Sequence, residues 1–377
     1  TVRSVAPDTK ILIISDSKPM VVEIGPWIDS QLDPINLSNP ELIERDKNNF
    51  ELLNLKPKQV QIPTVDSVGN VSWGEVTAIT RHDPGLQLYE IVTKSGRKVI
   101  VPESKSLLIW NEETQTIEQK LTTDANIGDR VPITMKLSNP PIINRFVDMA
   151  KYFPKKEYLY GSDFFKAKEE IEKAMEGRDK IPAGWWERSN GILFTLPYEN
   201  KGRFQRVQSG RSDISNIKQG FFYSFSTSRD SSIPEKFELN RINGQFIGLF
   251  IADGNVDFES GYIQVTKSDP STLKFVKDYF NSMDIKCKQN RRVTDRGTIE
   301  DVRGYSRILC KFLDNICGHG AINKKIPEFA YTAPEEFIIG LIDGFISGDG
   351  CIKEGGLTAS SCSKDLIDGI NVLLSRL

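Results

Sequence analysis

Two short runs of this chain carry the same residue types in the same order. Phe246-Ile247-Gly248-Leu249-Phe250-Ile251-Ala252-Asp253-Gly254 and Ile342-Asp343-Gly344-Phe345-Ile346-Ser347-Gly348-Asp349-Gly350 are each an apolar run with an internal glycine, then a small residue, a lone aspartate and a glycine. Packed side by side as helices, they bring Asp253 and Asp349 together at one end of the interface. Paired carboxylates in such a place suit a divalent cation and phosphodiester chemistry, because the cation stabilises charge on phosphoryl oxygens. Gly248 and Gly344 fall at matching positions. A glycine inside a helix costs about 1 kcal/mol against alanine, so its recurrence in register implies close backbone approach.

The two runs resemble the paired dodecapeptide motifs of LAGLIDADG homing endonucleases. The flanks fit as well: Ile233-Pro234-Glu235-Lys236-Phe237-Glu238-Leu239-Asn240 precedes the first run and Asn323-Lys324-Lys325-Ile326-Pro327-Glu328 the second. The resemblance implies motif helices at the interface of two αββ units, with Gly248 and Gly344 at the helix contact. It also implies Asp253 and Asp349 as catalytic metal ligands for Mg2+ or a similar cation, and Lys324 near the cleavage centre, stabilising developing phosphate charge. The sheet after each helix would lie in the major groove of double-stranded DNA. Gln264, Lys267, Lys286, Lys288, Arg291, Arg292, Arg296 and Arg303 are the candidate contacts, most of them to phosphate and a few to base edges. Although the whole chain has a net charge of −2, residues 265–325 hold thirteen Lys and Arg against seven Asp and Glu. That local excess suits a phosphate backbone.

The first third of the chain reads differently. Ile11-Leu12-Ile13-Ile14, Val71-Ser72-Trp73-Gly74-Glu75-Val76, Tyr89-Glu90-Ile91-Val92 and Val99-Ile100-Val101 are short β-rich runs between turn residues, the pattern of a small all-β domain. Residues 18–63 are more polar, with a short helix expected near Pro40–Asp46. Three stretches resemble intein splicing blocks: Ser4-Val5-Ala6-Pro7-Asp8-Thr9-Lys10-Ile11-Leu12-Ile13, the span Arg81 to Trp110, and Asp124-Ala125-Asn126-Ile127-Gly128-Asp129-Arg130-Val131-Pro132. Inteins with an inserted LAGLIDADG endonuclease combine both halves.

That resemblance implies a mechanism. The Ser4 hydroxyl attacks the preceding carbonyl and converts the Arg3–Ser4 peptide bond into an ester, leaving residues 1–3 as a remnant of the host protein (the N-extein). Splicing itself needs no cofactor. A serine hydroxyl is a weak nucleophile at neutral pH, so it needs a base, strain or a stabilised oxyanion. In the second block the family carries Thr-x-x-His, whose histidine protonates the departing nitrogen. This chain has Pro102-Glu103-Ser104-Lys105 there, and neither His82 nor His319 falls at the block position. Three explanations compete: Lys105 donates the proton, strain and oxyanion contacts suffice, or the step is crippled. The first is favoured.

The implied fold class is multidomain: an incomplete all-β Hint splicing domain plus an α/β LAGLIDADG domain whose second repeat is truncated. The expected divisions are residues 1–3, 4–137, 138–232 and 233–377. Residues 138–232 are rich in aromatic and basic residues, read either as a DNA-recognition module or as a structural bridge. The closing splicing blocks of the family are not seen, so splicing is expected in trans, with a complementary C-terminal fragment as partner beside the DNA and the host exteins. The competing readings are an endonuclease with a degenerate splicing domain and a DNA-binding remnant without either chemistry. All five cysteines lie between Cys287 and Cys362 and form no CxxC pair, as expected of an intracellular protein. No apolar run approaches the ~20 residues that span a bilayer, so no membrane partner is expected.

Overall fold

The computed structural model describes residues 4–153 (except 17, 48, 95, 104 and 105), 159–160, 187–188, 192–193, 220–224 and 232–377 (except 295, 296 and 355). Most of the aromatic-basic stretch lies outside the described residues, as do Lys105 and Arg296. Two compact units emerge: Thr1–Ile143 with Ser375–Leu377, and Asn144–Leu374. Among the described residues, no helix is long and apolar enough to cross a membrane.

The first unit is built from antiparallel strands. β1 (Lys10–Ser15) and β2 (Lys18–Glu23) form a hairpin, followed by α1 (Ile24–Ser38), β3 (Ile43–Asp46), β4 (Phe50–Asn54), β5 (Val60–Val65), β6 (Val71–Glu75) and β7 (Ala78–Arg81). Hairpins β8 (Leu88–Val92) with β9 (Lys98–Pro102) and β10 (Ser106–Asn111) with β11 (Thr116–Leu121) complete it. The larger sheets run β2-β1-β5-β6 and β3-β4-β7. Buried Leu32, Ile43 and Ile79 hold α1 against the second of these.

The polar stretch 18–63 departs from its sequence reading. Residues Pro40–Leu42 make only a 3-10 turn, and Ile43–Asp46 is strand. The substantial helix lies earlier, at α1, where Gly25, Pro26 and Pro34 read locally as breakers. Tertiary contacts override that propensity. Leu32 is fully buried, and the Arg81 guanidinium ties the helix down by donating to Asp29 and Asp33 at 2.8 Å each and to Glu51 at 2.6 Å.

Burial alone would push the Glu51 carboxyl up, but hydrogen bonds from Arg81 and Asn36 outweigh it and hold the group below its ordinary 4.5. Its contribution to stability is therefore present above about pH 4.5 and lost as pH falls below that. Arg81→Met is expected to cost about 2 kcal/mol at neutral pH and to flatten the acid limb of the unfolding curve. Urea midpoints of the chain from pH 3 to pH 7 measure both effects, and an unchanged acid limb would refute the assignment.

The second unit opens its first repeat with α2 (Arg241–Asp253), β12 (Gly254–Asp257), β13 (Tyr262–Lys267) and α3 (Pro270–Ser282). β14 (Cys287–Thr294), β15 (Gly297–Tyr305) and α4 (Arg307–Cys317) complete it. Its sheet runs β12-β13-β15-β14. A second repeat follows: α5 (Glu335–Asp349), the hairpin β16 (Gly350–Lys353) and β17 (Gly356–Ala359), and α6 (Lys364–Leu374). Among the described residues the second repeat thus pairs two strands where the first pairs four. Asn240, Asp269, Ser306 and Ser363 each accept a backbone N–H three residues on, which fixes the starts of α2, α3, α4 and α6. The core between the helices and the sheet is aromatic, with Phe246 stacked on Tyr279 at 3.8 Å and Phe250, Phe280, Phe312, Phe337 and Phe345 fully buried. Each such ring contributes roughly 1.5–3 kcal/mol by leaving water.

Candidate functional site

α2 and α5 pack with their backbones in contact. A Cβ added at Gly248 would land on the Leu341 carbonyl oxygen, and one at Gly344 on that of Gln245. Two further glycines do the same one turn earlier: Gly244 against Phe337 and Gly340 against Arg241. Sequence reading had singled out only Gly248 and Gly344, although the four-residue spacing within each helix marks one face. Gly254 and Gly350 end the helices with φ of −88° and −90°, so conformation does not demand glycine there. Close approach does: a Cβ would strike Phe250 in one case and Ile346 in the other.

This interface ends at the two aspartates. Asp349 is exposed at the rim; partial burial first, then the charge of Asp253, pushes its carboxyl above the ordinary 3.8. Lys267, at the end of β13, places its ammonium 2.7 Å from Asp253 Oδ2 and donates to the Gly348 carbonyl at 2.9 Å. The contact with Asp253 is an ion pair without hydrogen-bond alignment, made at the buried Oδ2. Lys267 was expected to contact DNA from the sheet. It sits instead at the carboxylate pair, because strand alternation turns it away from the open face.

Lys324 also reaches this end of the interface. Its ammonium donates to the carbonyls of Phe250 at 3.0 Å and Gly254 at 3.1 Å, and lies 4.1 Å from the Phe250 ring centroid. It therefore binds the carbonyl end of α2, where the helix dipole favours a cation. Burial lowers its pKa, while Asp253 and Asp349 are among the charges that oppose the fall. Lys324 and Asp349 share the lining of a cleft of about 320 Å³ with Asn255, Asp314, His319 and Cys362. Lys324→Met is expected to cost about 1–3 kcal/mol by removing the ammonium's hydrogen bonds to the Phe250 and Gly254 carbonyls, read as a fall in thermal midpoint. An unchanged midpoint would show that the ammonium has no structural duty.

The other candidates separate by strand alternation. Ile263, Val265 and Val302 are fully buried on one face of the sheet, and a Cβ at Gly304 would meet the Phe280 ring of α3, so that face is covered. Gln264, Arg303 and Lys288 are consecutive cross-strand partners and so share the open face. Arg292 falls on it two pairs further on, and Lys286 immediately precedes β14. Arg303 stacks over the Tyr262 ring at 4.6 Å. Asp301, buried in the next row, accepts from Asn290 at 3.0 Å. Arg291 alternates to the opposite side of the strand, where it stays largely exposed and pairs with Glu300 at 3.6 Å. As with Lys267, this differs from the sequence reading, which had no register to sort the cations.

In the first unit, Ser4 donates to or accepts from His82 across 2.8 Å, between Oγ and Nε2. The chain start is fixed nearby, with Ala6 N–H donating to the Ile100 carbonyl at 2.9 Å and Gly25 N–H to that of Pro7 at 2.8 Å. Sequence reasoning passed over His82 because it lies outside the expected block position; no local signal places it beside Ser4.

Comparison with known proteins adds three findings. Residues 241–317 match the family described as LAGLIDADG-like domain. Over its full length the chain is 24% identical to a DNA-directed RNA polymerase subunit Rpo1C of Methanocaldococcus jannaschii, covering 36% of it, and 99% of the chain is 21% identical to a DNA polymerase of Thermococcus hydrothermalis, covering 25%. The chain thus spans about a third or less of these relatives. Among solved structures, a transcription factor IIB mini-intein aligns over 36% of this chain and 70% of its own at 24% identity (TM-score 0.31). An I-DmoI variant solved with its target DNA aligns over 36% and 75% at 17% identity (TM-score 0.28). The family match falls on α2 through α4, the first of the two repeats built around the glycine-packed helices, so this part of the chain is similar to a LAGLIDADG-like domain.

Proposed function

We propose that the second unit cuts double-stranded DNA in a metal-dependent reaction and that the first unit forms an ester at Arg3–Ser4 by an N-to-O acyl shift, the opening step of protein splicing. The observation that carries the first part is the carboxylate pair at the end of a glycine-packed helix interface, beside a sheet whose open face bears Gln264, Lys288, Arg292 and Arg303. The residues fit a divalent cation: Asp253 Oδ2 already faces a positive charge, the Lys267 ammonium at 2.7 Å, burial and then the Asp253 charge raise the Asp349 carboxyl, and both candidate ligands are hard carboxylate oxygens. Asp253 and Asp349 would hold the ion, which would supply charge stabilisation at the phosphate. Lys267 already brings one positive charge to the same place, and Lys324 neutralises the carbonyl end of α2. The open face would take the phosphate backbone through its cations and base edges through Gln264 and Arg303.

Incubating the protein with a randomised duplex library in Mg2+ and sequencing the cut ends tests the endonuclease. One recurring sequence, cut only with metal and not by Asp253→Asn, is expected. Cutting that survives chelation would overturn the proposal. For the acyl shift, a tagged segment fused ahead of residue 1 should be released by hydroxylamine and retained in Ser4→Ala. The complete splicing reaction needs a C-terminal segment, proposed here to act in trans, and adding that segment as a separate polypeptide should yield ligated exteins.

A further inference from the structure

We propose that His82 is the catalytic base of the acyl shift at Ser4 and returns the proton to the departing nitrogen. The inference rests on the acyl-shift reading and assigns the group that carries it out. Its first support is the 2.8 Å contact between Ser4 Oγ and His82 Nε2, made across 78 residues of chain. The second is the other side of the ring, where Nδ1 lies 2.6 Å from the Asp83 carbonyl oxygen. A carbonyl oxygen only accepts, so Nδ1 carries the proton. In the neutral ring Nε2 is then bare and accepts from the Ser4 hydroxyl. The tautomer that a base requires is thus set by the backbone.

The surroundings hold that arrangement. Asn49 donates to the Asp83 carboxylate at 2.8 Å, and Arg81, just before the histidine, is anchored on Glu51, Asp29 and Asp33. The Phe50 ring centroid lies 6.5 Å from that of His82. His82 also lines a cleft of about 480 Å³ with Asn49, Phe50, Glu51 and Arg81, which leaves room beside the ring.

The reaction balances without a co-reactant. Ser4 Oγ gives its proton to Nε2 and bonds to the Arg3 carbonyl carbon. The bond between that carbon and the Ser4 nitrogen breaks, and the imidazolium gives the proton to this nitrogen. The product is an ester between Arg3 and the Ser4 side chain, with a free Ser4 amine. One imidazole thereby serves both as acceptor and as donor, a duty that position 105, a lysine, does not have to fill.

The test measures hydroxylamine release of the tagged segment from the full chain, by intact mass, in four proteins: unsubstituted, His82→Gln, Ser4→Cys, and Ser4→Cys with His82→Gln. General acid–base catalysis is worth about 10²–10⁴-fold, so His82→Gln is expected to slow release by at least about 100-fold. A thiol needs less help from a base, and in the Ser4→Cys background the same substitution should cost less than about 10-fold. Equal losses in both backgrounds would show that His82 does not act on the Ser4 proton and would overturn its assignment as the base. Release from His82→Gln within about 3-fold of the unsubstituted rate would overturn it too, while leaving the acyl shift at Ser4 standing. No Ser4-dependent release from the unsubstituted chain would overturn both.

Discussion

Replacing Asp349 by asparagine should lower the DNA-cleavage rate by about 10³-fold or more while making the second unit more stable at neutral pH. The first effect follows from losing a carboxylate proposed to hold the metal: bound metal supplies several kcal/mol of transition-state stabilisation, and ~4 kcal/mol corresponds to about 10³ in rate. The second follows from the sign of the pKa shift. Partial burial and the Asp253 charge raise the Asp349 carboxyl above 3.8, so the folded state holds this proton more tightly than the unfolded state. Stability then falls as pH rises through that window, and the ionised group is a liability above it. Asparagine removes the liability. Thermal midpoints of Asp349→Asn should exceed those of the parent at pH 7, with the gap closing as pH falls toward 3.8. Adding Mg2+ should raise the parent's midpoint by mass action and leave that of the Asp253→Asn, Asp349→Asn double variant unchanged. Single-turnover cleavage and thermal scans make both measurements. An Asp349→Asn protein that cuts at the parental rate would remove the carboxylate pair from the mechanism.

Valine at Gly248 should destabilise the second unit by about 3 kcal/mol or more, a large share of the roughly 5–15 kcal/mol that holds a typical domain folded. In an exposed helix, replacing glycine gains up to about 1 kcal/mol. Here the sign reverses, because the first carbon added meets the Leu341 carbonyl and the Phe345 amide, and backbone cannot move aside as a flexible side chain would. Gly344→Val should behave alike, since its added carbon meets the Gln245 carbonyl. Gly356→Ala is the control: nothing lies within 4 Å of its added carbon, and stability should hardly change. Urea denaturation of the three variants separates the cases. A Gly248→Val midpoint equal to the parent's would mean that the helices do not pack through these glycines.

Legibility in the sequence varied with the range of the interaction. The motif helices were legible because their information is local: the internal glycine, the apolar face and the terminal aspartate recur at fixed spacing, and helix geometry converts spacing into a shared face. β1, β6, β8 and β9 were legible for the same reason, as short β-branched runs between turn residues. α1 was not, because Pro26 and Pro34 argue locally against a helix that Leu32 burial and the Arg81 clamp hold in place.

The site divides in the same way. The matched register of Asp253 with Asp349 and the resemblance of the run from Ser4 to a splicing block were both legible in the sequence. Where the surrounding cations go follows from the fold. Lys267 joins Asp253 and Gly348, Lys324 binds the end of α2, and Arg291 leaves the face shared by Gln264, Arg303 and Lys288. The physical reason is register: a one-residue step along a strand reverses the face of a side chain, and pairing partners are chosen by the whole sheet. His82 beside Ser4 is the extreme case, since the two are separated by 78 positions and meet only once the intervening strands have folded.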